Sequence, residues 1–221
     1  MLYVFAIIIS YLLGSVPFGL IIAKLFNKGD IRKVGSGNIG ATNVMRVGGL
    51  RLAGLVWLLD MFKAIFAVLI GQYIGGDAFA VWCGFFAIIG HCFPIWLGFH
   101  GGKGVSALFG VLMAVNPILF IICGIEWLIV ALTTGLSAAG ALVVFCIMPV
   151  LGFFMSFGVG IGFLAISLLC AWRHRENIVR LFSGKESKVV WKWKKESFFC
   201  SYNLFLTLFC DIMCIIKRNV V

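Results

Sequence analysis

Long apolar segments separated by short polar strings make up most of the chain. Residues 2–23, 52–74 and 79–97 are each about 20 residues long, enough for a helix to cross a bilayer. Segment 105–132 is too long for one upright helix and contains Asn116-Pro117, where proline removes a helical hydrogen bond. It therefore predicts two short spans. Segments 138–157 and 158–172 complete a prediction of seven transmembrane helices, some of them short.

Charge predicts the orientation of these helices. The loop between the first two segments has one acid and six basic residues: Asp30 against Lys24, Lys28, Arg32, Lys33, Arg46 and Arg51. Basic loops stay in the cytoplasm, whereas the turn at Gly75, Gly76 and Asp77 has no Lys or Arg. We therefore predict an external N-terminus, a cytoplasmic C-terminus and both glycine-rich strings at the cytoplasmic face. Five longer spans are the alternative.

Composition excludes a soluble globular domain. The chain has 221 residues, 62% of them hydrophobic and 12% charged, whereas ordinary domains are about half apolar and a quarter charged. We predict an all-α polytopic membrane protein. Its net charge of +10 suits anionic lipid headgroups and phosphorylated substrates equally. Membrane lipid is an expected partner, and nucleic acid is not.

The first glycine-rich string, residues 35–43, combines flexible backbone with polar side chains. Lipid cannot solvate bare backbone, so such a segment packs in protein or faces water, where its N–H groups can bind an anion. Ser36, Gly37, Asn38 and Asn43 supply donors, and Arg46 supplies a planar fork for phosphate oxygens. The alternative is a tight loop at the membrane edge.

The second string places a lone cation among glycines just before a predicted helix. Gly101, Gly102, Lys103 and Gly104 would lie at a helix N-terminus, which attracts anions. A Walker A loop would need glycine where Leu97 stands, so nucleotide binding is disfavoured. An anion other than a nucleotide is the ligand that this string predicts.

The third cluster, residues 173–180, follows the last predicted span. His174 and Asn177 share a helix face at spacing i, i+3 and can contact one ligand. A basic membrane anchor is the alternative reading of this cluster.

Asp60 and Lys63 have the same spacing within the second segment and predict a structural ion pair beneath the first loop.

Residues 15–19, 35–46, 90–105 and 173–188 together resemble the bacterial acyl-phosphate:glycerol-3-phosphate acyltransferase family over about residues 1–188. The resemblance implies a seven-helix enzyme of the bacterial inner membrane. Such an enzyme moves a fatty acyl group from acyl phosphate to the 1-hydroxyl of glycerol 3-phosphate. The products are lysophosphatidic acid and phosphate, and the reaction is the first step of phospholipid synthesis.

The resemblance also implies roles for individual residues. The expected catalytic residues are Ser36, Arg46, Lys103, His174 and Asn177. The expected substrate and phosphate ligands are Gly37, Asn38, Asn43, Gly101, Gly102, Gly104 and Ser137. No metal, cofactor or obligatory protein partner is implied. Either His174 or an oxygen of the acyl phosphate takes the hydroxyl proton, and we favour the phosphate oxygen.

Two features stand apart from this assignment. A transporter for phosphate or organic phosphates would use similar cationic loops, but such proteins often contain repeated halves, and none is evident here. After residue 188 the resemblance ends, and Trp alternates with Lys in residues 191–195. We predict a membrane domain at 1–188 and an atypical tail at 189–221. Residues 198–216 are expected to lie at the membrane interface, with an eighth span as the alternative.

Overall fold

The computed structural model describes residues 1–188, and this part of the chain is helical without any β-strand. The predicted tail lies outside the described residues. The elements, in order, are α1 Leu2–Ser15, α2 Phe18–Leu25, a 3₁₀ helix Ile31–Lys33, α3 Ala41–Cys92, a 3₁₀ helix Ile95–Leu97, α4 Val105–Val115, α5 Pro117–Thr134, α6 Ser137–Met155, α7 Phe157–Arg173 and α8 Arg175–Phe182. The all-α prediction is confirmed for these residues.

A break at Pro17 divides the first apolar segment into α1 and α2. Proline offers no N–H to continue the helical ladder. Glycines on both sides of the break allow close packing: a Cβ on Gly14 would overlap the carbonyl oxygen of Ala87, and one on Gly19 would overlap that of Ile39. The two short helices are therefore held against α3 and against the first glycine-rich string.

The long helix α3 is a helical hairpin. Gly76 has φ +70 and Gly75 is also non-helical, so the helix is interrupted there. A Cβ on Gly71 would lie only 2.8 Å from the Cα of Ala80, which means that the two halves run back along each other. The predicted turn between two apolar helices is confirmed.

Three further breaks lie at or close to their predicted positions. Asn116 separates α4 from α5, and its Oδ1 accepts a hydrogen bond from the N–H of Ile118 at 2.9 Å. Gly135, with φ +74, ends α5. Ser156 begins α7 by accepting the N–H of Val159 on its Oγ at 3.2 Å. Local capping chemistry therefore determines these helix ends.

Within residues 1–188, four helical segments are long and apolar enough to cross a bilayer, or five if α7 and α8, bent by 62°, count as one. The protein is therefore built as an integral membrane protein. The α3 hairpin is a single segment in that count, and α4 has only 11 residues. Separating the halves of α3 and adding α4 gives seven helices. The seven-span topology and its orientation stay predictions.

Small side chains let α3 and α4 pack closely at the centre of the bundle. A Cβ on Gly84 would lie 2.7 Å from Val111, and one on Gly110 would overlap the carbonyl oxygen of Met61. The outer face of α5 is apolar and exposed, as expected for contact with lipid; its exposed side chains include Ile118, Ile121, Ile122, Ile125, Leu128, Ile129 and Leu132. The polar strings lie at the ends of these helices.

Candidate active site

Asn43, in the first turn of α3, determines the shape of the first glycine-rich string. Its Nδ2 donates to the carbonyl oxygens of Ile31 at 2.8 Å and Val34 at 3.0 Å, and its Oδ1 accepts the N–H of Ser36 at 3.0 Å. Gly37 turns the chain with φ +68. Because both amide hydrogens of Asn43 are used inside the loop, the geometry gives this side chain a positioning role. Its contact with a substrate phosphate stays a prediction.

The side chains of Ser36 and Arg46 are exposed, and Asn38 is half-buried. A Cβ on Gly35 would lie 3.4 Å from Cδ of Arg46, so the arginine stem runs along the string. One guanidinium nitrogen, Nη2, donates to Oγ of Ser187 at 2.9 Å. Arg46 forms no ion pair within residues 1–188. Its charge is therefore available to an anionic ligand.

The second string packs tightly on the end of α3. The N–H groups of Gly101 and Gly102 donate to the carbonyl oxygens of Cys92 at 3.1 Å and His91 at 3.0 Å. Their own carbonyl oxygens accept from Arg173, at 2.9 Å and 3.0 Å. A Cβ on Gly102 would overlap the imidazole of His91. These glycines therefore serve as close-packing residues, and their contact with phosphate stays a prediction.

Lys103 is held between this rigid turn and α8. Its Nζ donates to Oδ1 of Asn177. Gly104, with φ +89, begins α4 without a side-chain cap, so the N–H groups of the first turn carry their partial positive charge next to the lysine. Burial lowers the pKa of Lys103 below its ordinary value. A cation and a helix N-terminus thus lie side by side, as predicted.

His174 lies at the bend between α7 and α8. Its Nδ1 is 2.7 Å from the carbonyl oxygen of Cys170. A carbonyl only accepts, so Nδ1 carries the proton and Nε2 of the neutral ring is an acceptor. The ring packs edge-on against Phe145, with 5.3 Å between centroids. Burial is the main cause that lowers the pKa of His174 to about 4, so the imidazole is neutral at pH 7.

Glu186 is a carboxylate of this cluster that the sequence analysis missed. One oxygen accepts from Nδ2 of Asn177 at 2.8 Å, and the other accepts from Nε of Arg180 at 2.8 Å. Its side chain is only 8% exposed. Gly184, with φ +68, turns the chain after α8 and returns Glu186 to its partners. A lone acid after a basic helix and a glycine is a weak sequence signal.

A buried charged cluster lies beneath the second string. Nζ of Lys63 is 2.7 Å from Oδ1 of Asp60, which confirms the predicted ion pair. His91 joins the pair, with its Nδ1 3.0 Å from Nζ of Lys63. Lys63 also donates to the carbonyl oxygen of Val16, at the break between α1 and α2, at 2.9 Å. The cluster therefore links that break to the segment that supports Gly102.

Ser137, the first residue of α6, is half-buried. Its carbonyl oxygen accepts from Nε1 of Trp127 at 3.2 Å. Its hydroxyl makes no hydrogen bond among the described residues. A Cβ on the nearby Gly135 would lie 3.5 Å from Lys188, so the turn before Ser137 adjoins the segment that carries Glu186. A role for Ser137 in substrate binding stays a prediction.

Hydrogen bonds join the third cluster to the other two through the segment after α8, residues 184–188. Arg46 contacts Ser187, the neighbouring Glu186 contacts Asn177, and Asn177 contacts Lys103. Three predicted site residues, Arg46, Lys103 and Asn177, are thus connected within one polar surface. Apart from the carboxylate of Glu186, these connected side chains are cations, an amide and a hydroxyl, which suits ligands with phosphate groups.

Comparisons with known proteins identify the family of this chain. The family model for glycerol-3-phosphate acyltransferase matches residues 4–184. A glycerol-3-phosphate acyltransferase from Rhizobium etli is 46% identical over 83% of this chain and 90% of its own length. One from Agrobacterium fabrum is 44% identical, with the same coverage. The chain belongs to the glycerol-3-phosphate acyltransferase family.

Solved structures identify the branch of the family. One is the crystal structure of PlsY, an integral membrane glycerol 3-phosphate acyltransferase, in its glycerol 3-phosphate form. Its sequence is 37% identical to this chain, and the two structures align with a TM-score of 0.77. The alignment covers 84% of this chain and 94% of that one. The lysophosphatidic acid form has 36% identity and a TM-score of 0.73. The resemblance seen in the motifs is confirmed: the protein is a PlsY-type member of the family.

Proposed function

We propose that this protein transfers a fatty acyl group from acyl phosphate to the 1-hydroxyl of glycerol 3-phosphate, the first step of phospholipid synthesis. Membership of the glycerol-3-phosphate acyltransferase family supports the acceptor and the reaction class. The glycerol 3-phosphate and lysophosphatidic acid forms of PlsY match the proposed acceptor and product. The identity of the donor, acyl phosphate, goes beyond what the names of these relatives state.

The connection between Lys103 and Asn177, extended towards Arg46, is the observation that carries this function. Both proposed substrates are phosphates, so the site needs cations that remain free to bind anions. Lys103 bonds a neutral amide and Arg46 a hydroxyl, and neither forms an ion pair within residues 1–188. The exposed hydroxyl of Ser36, on the string beside Arg46, offers a further donor.

The proposed reaction needs little covalent help from the protein. The 1-oxygen of glycerol 3-phosphate attacks the acyl carbonyl carbon, and the bond from that carbon to the phosphate oxygen then breaks. The hydroxyl proton passes to the departing phosphate, which balances the reaction. Lys103 and the N-terminus of α4 stabilise the negative charge on the tetrahedral oxygen and the leaving phosphate. Holding both substrates in contact supplies much of the remaining acceleration.

His174 orients the acceptor in this proposal. Its pKa of about 4 makes it a weak base at neutral pH, whereas a general base works best with a pKa near the operating pH. The free Nε2 accepts a hydrogen bond from a glycerol hydroxyl. The proton then goes to a phosphate oxygen of the acyl phosphate, because this phosphate group is anionic at neutral pH.

We further propose that the site faces the cytoplasm from the bacterial inner membrane, with seven spans and an external N-terminus. The loop that contains Arg32 and Lys33 is basic, and the turn at Asp77 lacks basic residues. Both phosphorylated substrates are then drawn from the cytoplasm. Membrane lipid surrounds the bundle, and the reaction requires no protein partner.

The deciding experiment supplies purified protein with palmitoyl phosphate and glycerol 3-phosphate and measures phosphate release and lysophosphatidic acid. We expect both products in equal amounts, without coenzyme A, nucleotide or added metal. Palmitoyl-coenzyme A in place of palmitoyl phosphate is expected to give no product. Product from the thioester alone would overturn the donor assignment, and substrate uptake by proteoliposomes without any product would indicate a transporter.

We assign the activity to residues 1–188, because the family model matches residues 4–184 and the site residues described here lie within this part of the chain. A chain ending at Val190 is expected to keep at least half of the activity of the full chain. Loss of activity in a shortened protein that remains folded would show that the tail contributes to the reaction.

A further inference from the structure

The segment after α8, residues 184–188, crosses the proposed site and contributes a buried acid to it. Glu186 is 8% exposed and uses one carboxylate oxygen for Asn177 and the other for Arg180, both at 2.8 Å. The next residue, Ser187, binds Arg46. The turn after α8 therefore buries an acid between Asn177, an expected site residue, and Arg180.

The two hydrogen bonds of Asn177 have opposite directions. Its Oδ1 accepts from Lys103, and its Nδ2 donates to Glu186. An amide whose two ends look alike in shape is oriented only by its partners. The carboxylate of Glu186 accepts hydrogen bonds and donates none when ionised. It therefore keeps the NH₂ end of Asn177 towards itself and the oxygen end towards Lys103.

Arg180 is oriented by the same carboxylate. Its Nε donates to Glu186 at 2.8 Å, whereas the acid on its own helix, Glu176, is 3.9 Å from Nη1 and 70% exposed. An exposed pair at that distance contributes little. The contact with the buried acid is therefore the stronger restraint on the orientation of the guanidinium.

We propose that Glu186 is a positioning residue for the glycerol 3-phosphate subsite, acting through Asn177 and Arg180. The inference rests on the proposed function. A carboxylate among cations disfavours binding of a second phosphate group, whereas the amide of Asn177 and the guanidinium of Arg180, which it orients, can hydrogen-bond hydroxyl groups. Glycerol 3-phosphate carries both hydroxyls and a phosphate, whereas acyl phosphate has no hydroxyl on its carbon chain. The subsite with Glu186 therefore fits the acceptor better than the donor.

The test replaces the acid by its amide, Glu186→Gln. The new NH₂ group would face a donor of Asn177 or Arg180, so at least one of the two side chains must turn away. We expect KM for glycerol 3-phosphate to rise by about ten- to a hundredfold, the range for losing a buried charge-assisted hydrogen bond. KM for palmitoyl phosphate should change less than about threefold, since the donor does not depend on this acid.

Glu176→Gln is the matched control, because Glu176 is exposed and faces the same arginine. Its kinetic constants should stay within about twofold of the wild-type values. Melting temperatures of all variants are measured alongside. A purely structural role for Glu186 would lower the melting temperature of Glu186→Gln and leave KM for glycerol 3-phosphate unchanged, which would overturn the proposal.

A double variant tests the route through Asn177. In an Asn177→Ala background, Glu186→Gln should change KM for glycerol 3-phosphate far less than in the wild type, because the two act as one unit. Equal effects in both backgrounds would refute positioning through Asn177. If Glu186→Gln does not fold, Glu186→Asp takes its place; the shorter acid cannot reach both partners and should raise the same KM.

Failure of the proposed function is distinguishable from failure of this inference. Wild-type protein that forms no lysophosphatidic acid would refute the activity. The subsite is then judged by the rise in melting temperature on adding glycerol 3-phosphate. That rise should be present in wild type and in Glu176→Gln and absent in Glu186→Gln. A rise of equal size in all three would overturn the role of Glu186.

Discussion

Lys103 is placed so that its charge stays available. Its side chain is half-buried, and its hydrogen-bond partner is the neutral oxygen of Asn177 rather than a carboxylate in direct contact. The tight turn through Gly102 leaves the lysine little freedom to move, since the turn is bonded to Arg173 and to His91. A preoriented cation in a partly dry site stabilises developing negative charge more strongly than the same cation in water.

Replacing Lys103 with Ala should therefore remove stabilisation of the transition state. We expect kcat/KM to fall by about a hundredfold to a thousandfold, the range seen when a preorganised donor is lost. The measurement is release of phosphate from palmitoyl phosphate in the presence of glycerol 3-phosphate. Lys28→Ala, at an exposed lysine of the first loop, is the control and should retain wild-type activity. A Lys103→Ala enzyme with near-normal kcat/KM would exclude Lys103 from the site.

His174 makes stability depend on pH in a direction that can be tested. Its pKa is about 4 in the folded protein against 6.5 ordinarily, so the unfolded chain binds more protons between these values. Folding stability should therefore be unaffected by His174 above about pH 6.5 and should fall as the pH drops towards 4. Melting temperatures measured in detergent from about pH 8 to about pH 4.5 test this loss of stability.

His174→Gln provides the comparison for this prediction. Glutamine does not titrate, so the variant should lose less stability on acidification than the wild type does, even if it is less stable at pH 7. Parallel curves for the two proteins would show that His174 is protonated to the same extent in the folded and unfolded states, contrary to its burial.

At the scale of elements, the helix pairs depend on glycines at their closest approach. Gly110 of α4 lies against the backbone of Met61 in α3, with no room for a methyl group. By contrast, a Cβ on Gly54, also in α3, would meet nothing within 4 Å. The same substitution at these two positions therefore separates the effect of helix packing from the effect of removing a glycine.

Gly110→Ala should force α4 away from α3 and destabilise the protein by about 1–3 kcal/mol, the usual result of overpacking. Gly54→Ala should be neutral or stabilise by up to about 1 kcal/mol, since alanine favours a helix more than glycine does. Unfolding of both variants in detergent, compared with wild type, gives these differences. Similar stabilities for the two variants would mean that α3 and α4 are not in such close contact.

The sequence predicts the element ends better than it predicts the site. Asn116 and Gly135 act on the backbone next to them, so the helix ends there can be predicted locally. The break at Pro17, within the predicted span 2–23, was missed. Glu186 was missed because its role depends on a chain reversal after α8. The addition of His91 to the ion pair was missed for a similar reason, since 28 positions separate it from Lys63.

Predicting a donor is also easier than predicting whether it is free. The glycine-rich strings indicate N–H groups in a tight turn, which the structure contains. Those of Gly101 and Gly102 are nevertheless bonded to the end of α3, and the amide of Asn43 is bonded within its own loop. Only the three-dimensional packing determines which donors remain for a ligand, and the side chains of Lys103 and Arg46, which form no ion pair within residues 1–188, are the ones that we propose.

At the scale of the whole molecule, the proposed site requires its segments to lie on one side of the membrane. The hydrogen bond between Arg46 and Ser187 joins segments far apart in sequence at one end of the bundle. The turn at Gly76 is separated from the first loop by one half of the α3 hairpin, which is long enough to reach the opposite surface. The predicted topology therefore places the segments of the site on one side of the membrane, as the proposed reaction requires.

The sidedness of these segments can be tested by labelling single cysteines with a membrane-impermeant maleimide. The cysteines are placed one at a time at Lys28, Lys185 and Asp77, which are all exposed positions. In inverted inner-membrane vesicles, we expect labelling at Lys28 and Lys185 but not at Asp77, and the reverse in intact spheroplasts, because a charged reagent does not cross the bilayer. The cysteines at 83, 92, 123 and 170 are buried, whereas Cys146 is exposed. A parent chain in which Cys146, Cys200, Cys210 and Cys214 are replaced by Ser therefore gives the background. Labelling of Lys28 and Lys185 from opposite sides would separate Arg46 from Lys103 by a membrane and rule out a shared site.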